Sequence, residues 1–387
     1  MKKILYVTTV SRTINAFLIP HIEMLISKGY KVDCACSTDK SIDKRLLSKG
    51  VKIYEVPFSR NPLGKGNFKA YRRLLDIQRI NNYDIIHLHT PIASICGRLI
   101  KNTFENVKII YTAHGYHFLQ GGSKVGWGLY YPIEKVMAKL TDVTININRE
   151  DYEITKNKLR PKKCYLVNGV GLNLDDYKQI PQEEIMLKKK QLGLREEDFV
   201  VIMIAELNEN KNQIQLLKAM ELLKDKYPSV KAISVGEGSK LDELKEEAKA
   251  RGIENNITFL GFREDINELI NISDIGVLLS YREGLPRNIM ELMANGRKVI
   301  ATNIRGCKDI VWNGNVGTLV NVGDYKETAN AIEKYFLENN KTFKVPDEIK
   351  EYDVKNIVEK LSEVYEEIEW ADRPGMSRRL AEFHEGI

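Results

Sequence analysis

The chain has 387 residues, 43% of them hydrophobic, enough for two or three domains with full cores. No apolar run reaches the ~18 residues of a membrane span, and the strongest, 85–100, is broken by His87, His89 and Arg98. The net charge of +6 hides an asymmetry: from Met1 to Lys163 there are 28 Lys and Arg against 13 Asp and Glu, a balance of +15, which leaves −9 for the remainder. The basic part carries no nucleic-acid recognition motif, so its charge points to other partners.

From the start, short β-rich runs alternate with helical patterns. Positions 3–10, 31–37, 52–57, 84–90, 108–113, 142–148 and 164–168 read as strands, with 17–28, 68–81 and 127–140 long enough for crossover helices. Parallel strands need such crossovers, so the pattern predicts a first βαβ domain over 1–171. The polar stretch 172–197, with Lys188, Lys189 and Lys190 in a row, reads as an interdomain linker containing a helix. A second series over 198–352 has strands at 199–205, 230–235, 257–260, 275–280, 298–302 and 317–320. After a loop around Pro346, a helical segment, 353–370, is expected to return toward the first domain. The tail 371–387 changes from lysine to arginine usage and is read as non-native or disordered, outside the fold. The expected fold class is α/β: two Rossmann-like doubly wound parallel-sheet domains whose strand C-terminal ends face a central cleft.

Five scattered cysteines, Cys34, Cys36, Cys96, Cys164 and Cys307, lack C-x-x-C spacing and point to reduced thiols rather than a zinc site or a disulfide framework. Lys2 and Lys3 precede only a short apolar run without a small-residue cleavage site, so no signal peptide is expected and the cytoplasm is the default compartment.

The most informative motif is Glu283-Gly-Leu-Pro-Arg-Asn-Ile-Met-Glu291, at a predicted strand-to-helix junction. A loop carboxylate at a strand's C-terminal end can meet sugar hydroxyls, while amides at a helix N-terminus face phosphate. Spacing alone leaves an exposed helix glutamate and a turn glutamate as the blander reading. Lys211 stands after the strand ending near 205, where an ammonium and free amides suit a diphosphate; a solvated surface lysine is the alternative. Gly236 and Gly238 follow another strand, where missing side chains would let a nucleotide approach, or an ordinary turn form.

Together these residues resemble the retaining glycosyltransferases of family 4, which have the GT-B fold. The resemblance covers most of positions 1–370. It is carried by the Glu283 to Glu291 motif, Asn208-Glu-Asn-Lys-Asn-Gln213, Gly236-Glu-Gly238, Phe259-Leu-Gly-Phe-Arg263, Ile86-His-Leu-His89 and Thr112-Ala-His-Gly115. It implies that Glu291 meets the nucleotide ribose, that Glu283 and His114 stand near the donor sugar, and that Lys211, assisted by Arg287, holds the diphosphate. Amides around Gly284 and Leu285 would help neutralise the departing nucleotide, although Pro286 has no N–H to give. A histidine capping a strand is the rival reading for His114. His87 and His89 share a face of one strand and read as core residues rather than metal ligands. The family often has a basic residue where this chain has Glu206, so Glu206 is left out of the site.

The resemblance further implies a metal-independent enzyme without a cofactor. It would move a hexose or N-acetylhexosamine from a UDP-sugar to a polyprenyl-diphosphate-linked glycan in bacterial capsule or exopolysaccharide assembly. Arg60, Lys65, Lys69, Arg72, Arg73 and Arg79, with Tyr116, Phe118, Trp127, Tyr130 and Tyr131, suggest peripheral docking on the anionic inner membrane face; a solvated helix face is the alternative. The loop Thr9-Val-Ser-Arg-Thr-Ile-Asn15 replaces the family's glycine-rich turn, and Arg12 within it is a candidate for acceptor phosphate or an ordinary turn residue. Two other functions stay open: a UDP-N-acetylglucosamine 2-epimerase, which shares the architecture, and a catalytically silent nucleotide-sugar-binding subunit.

Overall fold

The computed structural model describes residues 1–59, 61, 64–119, 124–338, 345 and 347–370. Arg60, Pro346 and the tail 371–387 lie outside the described residues, as does the side chain of Lys65. The described chain divides into two compact units, 1–171 with 354–370, and 172–353.

In the first unit, β1 (Lys3–Val10), β2 (Lys31–Ser37), β3 (Ile53–Glu55), β4 (Ile85–His89), β5 (Lys108–Ala113), β6 (Val143–Asn146) and β7 (Lys163–Leu166) form an all-parallel sheet in the order β3-β2-β1-β4-β5-β6-β7. β4 is buried at every position, as expected of a parallel strand covered on both faces by crossovers. The predicted helix at 17–28 begins earlier, at Ser11–Thr13, passes through a π-helical stretch, Ile14–Leu18, and continues as Ile19–Ser27. Pro20 and Pro132 each follow such a stretch, the second being Gly126–Tyr130, where the wider turn accommodates a residue that has no N–H to donate. The final helix, Val354–Trp370, belongs to this unit. Its Ile357, Leu361, Val364, Tyr365 and Ile368 recur at helical spacing and enter the core beside Ile19 and Ile22.

In the second unit, β8 (Phe199–Ile204), β9 (Val230–Val235), β10 (Ile257–Gly261), β11 (Ile275–Leu278), β12 (Lys298–Thr302) and β13 (Gly317–Val320) form another parallel sheet, β10-β9-β8-β11-β12-β13. The fold class is thus two Rossmann-like, doubly wound α/β domains. In each, the strand order reverses beside the first strand, between β1 and β4 and between β8 and β11. Crevices for ligands open at such points.

One expected boundary is corrected. The stretch 172–197 is not a linker but part of the second unit. Leu172 is fully buried, and Ile185, Leu192 and Leu194 pack against the core around Leu269 and Ile289. Lys189 donates to the carbonyls of Glu196 and Asp198 at 3.0 and 2.9 Å, and Lys188 is ion-paired with Asp265. Lysines with tethered heads bury their stems, so a polar composition here conceals packing.

Candidate active site

The site in the second unit is assembled where β8 and β11 lie side by side. The loop after β8 makes a 3-10 turn, Glu209–Lys211, whose first amide pairing comes from Asn208: its side chain accepts from Lys211 N at 3.1 Å. Lys211 therefore precedes the helix Gln213–Leu223, separated from it by Asn212 in the left-handed region at φ 53. The loop after β11 contains Glu283. Asparagines join the two loops: Asn212 Nδ2 donates to Leu279 O at 3.1 Å, Asn210 Nδ2 to Arg282 O at 3.0 Å, and Tyr281 N to Asn210 O at 2.8 Å. Those bonds explain why β11 stops at Leu278 rather than at position 280, since the following carbonyls face side chains instead of a ladder. Ser280 O likewise accepts from Thr302 Oγ1 at 2.7 Å.

With the loops joined, Lys211 Nζ donates to Glu283 Oε1 at 2.5 Å, with side-chain exposures of 22% and 12%. Gly284 and Leu285, both half-buried, bend the chain from Glu283 into Pro286, which leads the helix Arg287–Ala294. Glu291 lies on that helix one turn after Arg287, whose Nε donates to its Oε1 at 3.1 Å. Burial raises the Glu291 carboxyl above its ordinary value, against the pull of Arg287 and a hydrogen bond from Tyr177. The Tyr177 phenol is itself pushed up by burial and by the Glu291 carboxylate, so it stays a donor.

Gly236 and Gly238 stand where the chain's own backbone packs closely. A Cβ on Gly236, at φ +139, would stand 2.1 Å from Ala205 O, and one on Gly238 would stand 2.2 Å from Leu207 O. The loops after β8 and β9 touch backbone to backbone there, with Leu207 N donating to Glu237 O at 2.9 Å.

Sequence reasoning missed three contributors. Arg305 is 5% exposed and its Nε donates to Glu283 O at 3.0 Å, fixing the backbone of the loop from below. Tyr177 lies in the stretch read as a linker. The asparagines of Asn208-Glu-Asn-Lys-Asn-Gln213 join the two loops, a task their motif does not reveal. An arginine three residues past the apolar strand β12 is the available signal for Arg305.

The first unit carries His114 and Arg12. His114 directly follows β5, and its Nε2 lies 3.0 Å from His89 Nδ1. His89 stacks on His87, with ring centroids 4.3 Å apart, and His87 is held between Tyr365 Oη and Thr112 Oγ1, both at 2.7 Å. Burial, then the neighbouring His21, lowers His114 to about 4, so it is neutral at physiological pH. His87 and His89 are core residues, 0% and 1% exposed. Arg12, at the exit of β1, is exposed and ion-paired with Asp39. Beside it Thr9 Oγ1 and Thr90 Oγ1 lie 2.7 Å apart; Thr90 holds φ 68, a strained value for a β-branched residue. Tyr116 and Phe118 are not surface aromatics: they are 4% and 1% exposed and stacked on one another in the core. Among the described residues, no group of three or more His, Cys, Asp or Glu is arranged to hold a metal ion, and no helix is long and apolar enough to cross a membrane.

Family models match both parts of the chain: "Glycosyl transferase 4-like" over residues 3–148 and "Glycosyl transferases group 1" over residues 185–366. The Bacillus subtilis protein EpsD is 36% identical over 342 residues, 87% of each chain. The Escherichia coli UDP-Gal:alpha-D-GlcNAc-diphosphoundecaprenol alpha-1,3-galactosyltransferase is 28% identical over 81% of this chain and 82% of its own. Among solved structures, Anabaena Alr3699/HepE in complex with UDP and glucose superposes with a TM-score of 0.78 at 21% identity, covering 95% of this chain and 100% of that one.

Proposed function

Because the chain belongs to the group 1, family 4-like glycosyltransferases, we propose that it moves a hexose or N-acetylhexosamine from a UDP-sugar, with retention, onto a polyprenyl-diphosphate-linked glycan in surface-polysaccharide assembly. The observation that carries this reading is the joining of Lys211 to Glu283 at the β8–β11 reversal, ahead of the helix that bears Glu291. In this reading Lys211 neutralises the β-phosphate as the bond to the anomeric carbon breaks, and Arg287 assists. Glu283 orients the sugar hydroxyls, Glu291 accepts from the ribose, and the amides at Gly284 and Leu285 meet the leaving group. His114, neutral, offers a hydrogen bond to the donor sugar. The acceptor hydroxyl bonds to the anomeric carbon on the face the diphosphate leaves, and its proton passes to that phosphate. No step calls for a metal or a cofactor.

The lipid-linked acceptor is supported by the name of the Escherichia coli relative. Docking on an anionic inner membrane face is supported by the helix Lys65–Asn81, which exposes Lys69, Arg72 and Arg73 together with Phe68 and Ile80, at 63% and 75%. Trp127, Tyr130 and Tyr131 remain candidates for the interface. Arg12 is a candidate for acceptor phosphate once Asp39 releases it.

A matrix of nucleotide sugars against lipid-linked saccharide acceptors tests the proposal, with the anomeric configuration of each product read by NMR. One UDP-sugar should give an axial-to-axial product. An inverted product, a free epimerised sugar or no transfer with any pair overturns it.

A further inference from the structure

Beside His114 the first unit encloses a cavity of about 380 Å³ with no role in the donor chemistry. It lies past the C-terminal ends of β4 and β5, and Ile92, Ile95, Tyr111, Phe118, Leu129 and Ile133 form much of its wall. The volume is far more than the ~30 Å³ share of a water molecule and falls in the range of ligand sites.

Two of the polar side chains on its wall are engaged with other groups. Tyr116 Oη pairs with Thr155 Oγ1 at 2.8 Å, and the Glu134 carboxylate accepts from Arg98 Nη1 and Nη2 at 2.7 and 3.0 Å. Arg98 in turn lies 4.4 Å from the centre of the Tyr111 ring. An occupant therefore meets mostly ring faces and aliphatic carbon, with Asn61 and His117 also on the wall. A saccharide would lose hydration at each hydroxyl with few replacements, whereas a hydrocarbon gains by burial.

The cavity also has an apolar approach. Leu129 lines it while 53% exposed, and Val125 and Val136, 67% and 55% exposed, flank Leu129 and Ile133 along the same helical stretch. The charged residues of that stretch are Lys124, Glu134, Lys135 and Lys139. Since Glu134 is buried with Arg98, the charge left at the surface is positive, and Lys158 Nζ adds to it 4.5 Å from the Trp127 ring. An apolar track into a mostly apolar cavity, with lysines along the adjoining helical stretch, suits a chain that ends in a phosphate.

We infer that this cavity seats the first isoprene units of the acceptor lipid, with its diphosphate among the lysines and its saccharide beside His114, whose neighbour Gly115 lines the wall. The inference rests on the lipid-linked acceptor proposed above.

The full chain is titrated with radiolabelled geranylgeranyl monophosphate below its aggregation threshold, with UDP binding and circular dichroism as controls for folding. Wild type should bind saturably. Ile95→Trp, which fills the space, and Leu129→Ser, at the exposed mouth, should each weaken binding about tenfold or more while UDP binding is unchanged. Hexadecyl phosphate should displace the probe poorly. Equal displacement by it, no saturable binding, or binding indifferent to both substitutions overturns the inference. If lipid-linked acceptors are still glycosylated in that case, the proposed reaction stands. Saturable binding lost in both variants, without turnover of any lipid-linked acceptor, supports the cavity and overturns the reaction.

Discussion

Lys211 Nζ and Glu283 Oε1 stand 2.5 Å apart although 72 residues separate them in the chain. Each side chain is the other's counter-charge, so in the proposed reaction a diphosphate shares or displaces a carboxylate to reach the ammonium. A preorganised donor of this kind commonly contributes about 3 kcal/mol to a transition state, a factor of roughly a hundred. Lys211→Ala and Glu283→Ala should each lower kcat at least about a hundredfold with an unchanged far-UV spectrum. Turnover within a few fold of wild type in either variant removes that residue from the site.

Glu291 leads to a stability prediction with a defined sign. Its folded carboxyl is raised above the ordinary value by burial. Between the ordinary and raised values the native state binds more protons than the unfolded one, so stability falls as pH rises through that window and stays lower above it. Glu291→Gln should therefore raise Tm relative to wild type at pH 7, with the advantage vanishing below the ordinary carboxylate range, while UDP affinity falls. Thermal melts at both pH values check it; a variant less stable at pH 7 contradicts the burial argument.

Gly236→Ala and Gly238→Ala place a methyl about 2 Å from a backbone carbonyl. Neither carbonyl is the end of a flexible side chain, so the loops after β8 and β9 must part. A cost of about 2 kcal/mol is expected, a Tm drop of roughly 4–8 °C for a domain of this size. Unchanged melting in either variant would show that the loops have room.

Arg98 and Glu134 form a buried bidentate pair, 1% and 8% exposed as residues. Burial disfavours the Arg98 charge, and Glu134 restores it. Glu134→Ala leaves that charge without its partner and should cost about 3–5 kcal/mol. The double variant Arg98→Met, Glu134→Leu should recover most of the loss, because the desolvation penalty goes with the charges. Urea denaturation of the single and double variants measures the difference, and an equally unstable double variant would point to packing rather than charge.

Repeating β-rich runs and crossover-length helical patterns announce two parallel sheets, since a buried strand needs apolar residues on both faces and a parallel neighbour needs a long return. β1, β2, β5, β9, β12 and β13 occupy the ranges their residues predict. The helix Val354–Trp370 is equally legible, from apolar residues at helical spacing. The polar stretch before Phe199 is not, because hydropathy counts a lysine's charge and ignores its stem, and Lys189 buries that stem by giving its ammonium to two carbonyls.

The residues of the candidate site were legible by type: a lysine after one strand, a glutamate after another, a glutamate on the next helix. Local sequence thus determined which chemistry is present and on which kind of element, because propensity and periodicity act over a few residues. Only the tertiary structure decided that Lys211 meets Glu283, that Arg305 backs Glu283 while Tyr177 meets Glu291, and that Gly236 and Gly238 admit neighbouring backbone. Those outcomes depend on strand order, which brings β8 beside β11 across more than seventy residues, and no short-range rule specifies that pairing.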